Sequence, residues 1–405
     1  MNKRTPLSRT IPYFYFINNE INREKPYLYY FCNVIDKRHT FAIMYIFFLL
    51  LPVVYITCNS YLFCRVWQAM RGLPVIVKIA VALIYTAVTF AMFIPMFFRG
   101  SDIPEILAKW LFRVGSAWLF FSCLAAVLLL VTDILSRFIP AIQGNLWWAL
   151  GIAVALFAYG NYNYRHPQAV PLDITLDKPM KGELRIVVVS DLHLGYGTGK
   201  SRLKEYVKLI NDSKPDVILI AGDLIDNSLR NVRSEHMQEE LQQLQAAQGI
   251  FMAPGNHEYI SGIEDCREFL ADTNIELLCD SIVTLPCGVQ IALRDDAANR
   301  WRHSLPELYE NIDKSKPIIL VDHQPREIAE SDAEGTDLHI SGHTHHGQVW
   351  PGSLITDRLF KQSHGYRKWD NAHVWVSSGI SLWGPPVRLG TKGDYAIITL
   401  RGIDE

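Results

Sequence analysis

Charge imbalance is the first thing this 405-residue sequence lacks. Its 39 Lys and Arg against 41 Asp and Glu leave a formal net charge of −2, so nothing in the balance points to bulk attraction for nucleic acid. A cysteine framework is missing too. Of the seven cysteines, only Cys266, Cys279 and Cys287 follow the apolar N-terminal part, an odd set without metal-ligand spacing that favours a reducing compartment. A phosphate-cradling glycine loop is also absent. In HLGYGTGKS (193–201) the glycine required five positions before the Gly-Lys pair is Leu194, and Gly-x-Gly-x-Gly is one residue short of a dinucleotide fingerprint. That loop is read as a flexible stretch from which Lys200 or Arg202 can meet a phosphate. No small-residue cleavage site follows the first apolar run, which excludes a cleaved signal peptide.

Charge is missing locally as well, and there its absence is informative. No charged residue occurs in Phe41–Phe63, Ile79–Phe98, Val114–Val131 or Leu146–Tyr162. Each run approaches or meets the roughly 20 residues that span a bilayer. Trp110, Trp118, Trp147 and Trp148 lie near segment ends, where indoles favour the interface. Four transmembrane helices are expected within residues 41–163, after a polar and aromatic segment, residues 1–40. Lys3, Arg4, Arg9, Arg23, Lys25, Lys37 and Arg38 precede the first run and favour a cytoplasmic N-terminus; four spans would return the C-terminal domain to that side. A translation start at Met44 would remove this bias, because Arg65, Arg71 and Lys78 then balance Arg99, Lys109 and Arg113. The proline-bearing stretch RHPQAVPLD reads as a stiff linker.

Residues 168–405 have a different texture. Short apolar runs, LRIVVVS, DVILIAG, GIFMAPG, PIILVDH and DLHISGH, alternate with amphipathic stretches and read as buried strands of a layered α/β domain with one core. A helix is expected at Val232–Gln248. Polar residues follow five of these strands: Asp191 and His193, then Asp223, then Asn256 and His257, then His323, then His343 and His345. Open α/β sheets gather ligand groups at the carboxyl ends of their strands. Five strand ends would therefore bring eight metal-competent or acid–base side chains to one rim. His346, adjacent to His345, and His339, three residues before the GHTH stretch, are expected to be bystanders. Arg230, Arg233, Arg300 and Arg302 read as solvated surface.

The series Asp-x-His, Gly-Asp, Gly-Asn-His, His and Gly-His-x-His resembles the calcineurin-like metallophosphoesterase superfamily. SGHTHHGQ, DHQP and PPVRLG are similar to its membrane-associated bacterial branch. The departures are His346, where glycine is commoner, and KGD (392–394) in place of Pro-Pro-Glu. The resemblance implies an α/β/β/α sandwich behind the four-helix membrane region, and a phosphoesterase with two divalent ions. It implies that Asp223 bridges the ions, with Asp191, His193 and His345 completing one shell and Asn256, His323 and His343 the other. His257 would be the catalytic proton donor, and Arg388 a phosphate contact or a buried ion pair. Mixed nitrogen and oxygen donors suit Mn, Fe or Zn. Four spans make a lipid or lipid-linked phosphate the favoured substrate, with UDP-2,3-diacylglucosamine pyrophosphatases one resembling class. A soluble phosphate ester, or a non-enzymatic membrane scaffold or sensor keeping the fold, are the alternatives. Loss of ligands would mark the scaffold, and none is lost.

Overall fold

The computed structural model describes residues 37–97, 103–139 and 146–403, with side chains from Leu50 onward. The expected aromatic N-terminal segment lies almost wholly outside the described residues. Two compact units divide the chain at Val53 and Val54; only the opening turns of a helix are described in the first, and the remainder of the architecture is the second.

Four long helices lead the chain: α1 (Lys37–Ala69), α2 (Val75–Phe90), α3 (Glu105–Leu135) and α4 (Leu146–Arg165). The α1 stretch Leu50–Ala69 and all of α3 are long and apolar enough to cross a bilayer. Only 17% and 33% of their most apolar stretches are buried, so neither is the covered core helix of a water-soluble domain. The expectation of four spans is narrowed here to two candidates. Helix α2 has 16 residues, about 24 Å at 1.5 Å per residue, which is short of a hydrocarbon core of about 30 Å. It ends at Phe90, and a separate turn of helix, Phe93–Phe97, follows. Helix α4 turns polar over its last turns (Asn161, Asn163, Arg165).

Helices α1, α2 and α3 meet around one amide. Asn59 donates to Ser122 Oγ at 3.2 Å and accepts from the Tyr85 hydroxyl at 3.2 Å and the Trp118 indole at 3.1 Å. Such a polar contact between apolar helices fixes their register, because its unpaired alternative is costly away from water.

The expected linker after α4 is a strand. Strand β1 (Gln168–Pro179) begins three residues after Arg165 and pairs in parallel with β12 (Asp394–Ile403), the last strand of the chain. Its prolines are tolerated because β1 is an edge strand. The first sheet then continues through β2 (Glu183–Val189), β3 (Val217–Ala221), β4 (Ile250–Ala253) and β5 (Glu276–Leu277) in the order β1-β12-β2-β3-β4-β5. Only the β12–β2 pair in it is antiparallel. The second sheet has the order β10-β11-β9-β8-β7-β6, built from β6 (Ser281–Thr284), β7 (Gln290–Leu293), β8 (Ile318–Val321), β9 (Leu338–Ser341), β10 (Gly365–Lys368) and β11 (His373–Val376). Its antiparallel pairs are at the two edges.

The central strands are apolar on both faces because both faces are covered. Ile186, Val188 and Leu219 of the first sheet pack against Ile291, Ile319 and Ile340 of the second. Val187, Ile218 and Ile220 face Leu203, Tyr206 and Ile210 of the helix Lys200–Asp212. Leu305, Leu308 and Tyr309 cover the outer face of the second sheet. The result is an α/β domain of two mixed sheets between helical layers. The helix expected at Val232–Gln248 is instead two short ones, Leu229–Ser234 and Gln238–Leu241. His236 between them has a φ of 51°, which a right-handed helix cannot continue through.

The long helices and this domain are joined by specific contacts. Lys109 pairs with Glu235, and Glu105 with Arg230 at 2.5 Å. Arg113 Nε donates to the Tyr196 carbonyl at 2.8 Å, and the Tyr196 hydroxyl to Glu105 at 3.0 Å. From α4, Asn161 donates to the Pro386 carbonyl at 2.9 Å and Asn163 to that of Arg388 at 3.3 Å. The Arg388 N–H donates to the Gly160 carbonyl at 2.9 Å. A Cβ at Gly160 would lie 2.4 Å from Val387 Cγ1, so only glycine permits this approach.

Gly160→Val should therefore push α4 off the 385–390 loop and cost about 1–3 kcal/mol, as overpacking does. Thermal unfolding of the full chain should show a lower midpoint, with faster proteolysis of that loop. Gly151→Ala, where the added methyl meets nothing within 4 Å, should not destabilise; an equal loss at both positions refutes the docking account.

Candidate metal centre

Strand ends build the site. The loop after β2 carries Asp191 and His193, that after β3 carries Asp223, and that after β4 opens the helix Asn256–Ser261 with Asn256 and His257. Strands β8 and β9 contribute His323, His343 and His345 from the facing sheet. Three sets of potential ligand atoms come within 4.8 Å of one another: Asp191, His193 and His345; Asp223, His323 and His343; and His193, Asp226 and His257. The structure thus brings seven of the eight strand-end residues into these sets. The eighth, Asn256, has its Oδ1 buried without a hydrogen-bond partner.

One carboxylate stands between the first two sets. Asp223 Oδ2 lies 3.1 Å from His323 Nε2 and 3.8 Å from His193 Nε2. Its other oxygen accepts the His257 N–H at 2.9 Å. His345 Nε2 is 3.1 Å from His193 Nε2 and 3.5 Å from Asp191 Oδ1. The His343 N–H meets the two Asp191 oxygens at 3.2 and 3.1 Å. His323 Nδ1 bonds to the Ala221 carbonyl at 2.7 Å, while its Nε2 is buried without a hydrogen-bond partner. Anchoring one ring nitrogen leaves the lone pair of the other aimed at a ligand. A Cβ on Gly222, whose φ is +79°, would sit 2.5 Å from that Nδ1; the glycine makes room for the ring.

Backbone strain is concentrated here. Asp191, His193, Asp223, His343 and His345 all have φ between 47° and 71°, the left-handed region that L side chains avoid. At about 1–3 kcal/mol each, such conformations persist where the surroundings over-determine them. Glu258 supplies part of that, accepting the N–H groups of Asp223, Ile225 and Gly255 at 2.9, 3.0 and 2.7 Å. Burial and the Asp223 charge push its carboxyl up to about 7.

The electrostatics call for positive charge. Burial would raise the carboxyls of Asp191, Asp223 and Asp226, but surrounding imidazoles outweigh it and hold all three low, Asp226 at about 2. Burial would likewise deprotonate His193 and His323. The carboxylates beside them override it, taking His193 up to about 10 and His323 well above its ordinary value. Burial dominates at His343 and His345, which fall to about 3. Three buried carboxylates thus draw protons onto three imidazoles, since Asp223 and Asp226 also raise His257 against its burial. Divalent cations would supply that charge and release those protons, and with the unpartnered Asn256 Oδ1 the donor set fits such ions.

Other expectations are sorted by position. His346 stacks on His364 with ring centroids 4.5 Å apart, outside the three sets. His339 is buried between Ser331 and Ser341, its two nitrogens 2.9 Å from their hydroxyls. Arg388 requires a correction. Its side chain is fully buried, and Nη1 and Nη2 donate to the carbonyls of His345, Ser378, Gly379, Ser381 and Lys392. Its guanidinium has backbone carbonyls as hydrogen-bond partners and, among the described residues, no ion pair to a carboxylate; it ties the loop held by α4 to the His345 loop. Sequence reasoning missed Asp226, whose Oδ1 is 3.6 Å from His193 Nδ1 and 3.5 Å from His257 Nδ1. Its spacing three residues after Asp223 was the available signal. Trp383, 49% exposed and 6.4 Å from the His257 ring centroid, carried none.

A family model for calcineurin-like phosphoesterases matches residues 184–347. A metallophosphoesterase of Helicobacter pylori is 35% identical over 264 residues, covering 62% of this chain and 70% of its own length. One from Aquifex aeolicus is 30% identical over 259 residues, with 62% and 98% covered. A Danio rerio protein called a transmembrane protein with metallophosphoesterase domain is 30% identical over 273 residues, covering 62% of each chain.

If Asp223 serves both sets, Asp223→Asn should release metal from both, whereas His346→Ala should retain it. Elemental analysis of the purified full chain decides between them. Equal metal content in wild type and Asp223→Asn would contradict the shared carboxylate.

Proposed function

The chain belongs to the calcineurin-like phosphoesterase family and is a metal-dependent phosphoester hydrolase, and from that premise we propose that it acts at a membrane on a lipid or lipid-linked phosphoester. The carrying observation is that the loops bearing the site are clamped to the long helices. Tyr196, three residues past His193, bonds to Glu105 and Arg113 of α3. Residues 386–388, just past Trp383, bond to α4. Were α3, a candidate span, to cross the bilayer, the site would stand at the headgroup layer without a tether to span. A soluble ester has no need of that arrangement.

In this reading Asp191, His193 and His345 would hold one divalent ion and Asn256, His323 and His343 the other, with Asp223 shared by the two. Mn, Fe or Zn suits the mixed donors. When bound, two such ions supply Lewis acidity toward the phosphoryl oxygens and an activated water. The chain's own residues orient and protonate. His257 Nδ1 is held by the Asp226 carbonyl at 2.5 Å, which leaves Nε2 as the atom that donates a proton to the departing oxygen. Asp226 keeps that ring and the His193 ring in their orientations. Phosphodiester, pyrophosphate and monoester bonds all fit this chemistry. The basic residues before Phe41 favour a cytoplasmic catalytic domain and a multi-pass anchor.

His257→Gln should lower kcat by about 10²–10⁴-fold with metal content retained, and the loss should shrink for a nitrophenolate leaving group. Loss of metal, or an equal defect for good and poor leaving groups, rules out the donor role. For the substrate class, the full chain in mixed micelles should prefer a phospholipid ester to a soluble phosphodiester by kcat/KM. A preference for the soluble ester would remove the lipid reading while leaving the hydrolase intact. A C-terminal reporter active only in the cytoplasm should give signal; a periplasmic signal would invert the orientation.

A further inference from the structure

The metal chemistry leaves one cavity beside it unused. This space of about 150 Å³ has an apolar wall that includes Met96, Ile103, Ala108 and Phe112. Its opposite wall includes Tyr196, Asp226 and Ser228. Asp226 is the shared partition, since its carboxylate also lies 3.6 Å from His193 and 3.5 Å from His257. Phe112 packs on Tyr196 with ring centroids 5.9 Å apart, and the Glu105–Arg230 pair joins α3 to the polar wall. The cavity therefore has one side in an apolar helix and the other in the loops of the reacting centre.

We propose that this cavity is an alkyl subsite, which takes the first carbons of a hydrocarbon chain whose phosphoester is processed across Asp226. The inference rests on the lipid reading and makes it specific. A space of about 150 Å³ holds a benzene-sized group, so roughly six carbons fit against the apolar wall rather than a whole acyl chain. Phe97, next to Met96 in sequence, and Ile106, on α3 with Ala108 and Phe112, are 80% and 64% exposed and offer further apolar surface for the remainder. The enclosed space is too small for a strand or helix of a protein partner. Hydroxyl and amide groups of Ser228 and Asn227 on the opposite wall suit the oxygen-bearing end of an amphiphile. Binding energy collected on the chain, away from the reacting atoms, would position the phosphorus at the site.

The test uses the full chain in neutral detergent with a series of alkyl nitrophenyl phosphodiesters from methyl to dodecyl. For wild type, kcat/KM should rise with chain length, at most about fourfold per methylene over the enclosed carbons. Ala108→Phe fills the cavity from α3 and should collapse the octyl-to-methyl ratio by at least tenfold. Met96→Trp, entering from an exposed position, is the second variant should Ala108→Phe fail to fold, as judged by metal content and melting temperature; it should compress the same ratio. A chain-length rise in wild type that both folded variants retain overturns the alkyl subsite and leaves the lipid reading standing. A flat wild-type series removes the lipid reading, and the subsite with it.

Discussion

Three buried carboxylates in one pocket are the constraint that the rest of this architecture answers. Asp191, Asp223 and Asp226 are withdrawn from water and kept ionised, and such charge is tolerable only when compensated. The compensation comes from five strand ends on two facing sheets, so the sandwich has to bring both sheets to one rim. Imidazoles turned inward by bonds to backbone carbonyls, left-handed turns under the acidic and imidazole ligands, and Glu258 binding three N–H groups all serve that convergence. A different core would leave the charges unpaired.

The same rim is fastened on its outer side. Tyr196 and residues 386–388 are held by α3 and α4, while Arg388 carries that hold inward to the His345 carbonyl. Helix position and loop position are therefore coupled through a buried guanidinium whose terminal donors are all spent on the backbone. An arginine serves this better than a lysine, because its planar fork reaches several carbonyls at once.

Most of the rim was legible in the sequence, for a simple reason. A buried strand is a short apolar run, and a candidate ligand is a polar residue within three positions of its end, so Asp191, Asp223, Asn256, His323 and His343 announce themselves by position. Asp226 did not, because a carboxylate one turn beyond a ligand looks like any polar loop residue until the chain folds it under His193. Arg388 was misplaced because an arginine beside a phosphate site and one serving backbone carbonyls have the same sequence signature. Strand β1 was hidden by its prolines, which suggest a linker and are in fact compatible with an edge. The four apolar runs were all seen, yet composition alone did not register that α2 is short and that the end of α4 is spent on the domain.

The pairing of β1 with β12 carries a consequence for biosynthesis. Strand β1 leaves α4 early, but among the described residues its only neighbour in the sheet is β12, the last strand described. During translation this edge strand must wait, unpaired, until residues 394–403 emerge. Closing so non-local a contact is slow, and an open edge invites foreign strands. A ribosome that stops short of β12 would thus leave a chain whose first sheet lacks the strand joining β1 to β2, a ready substrate for quality-control proteases.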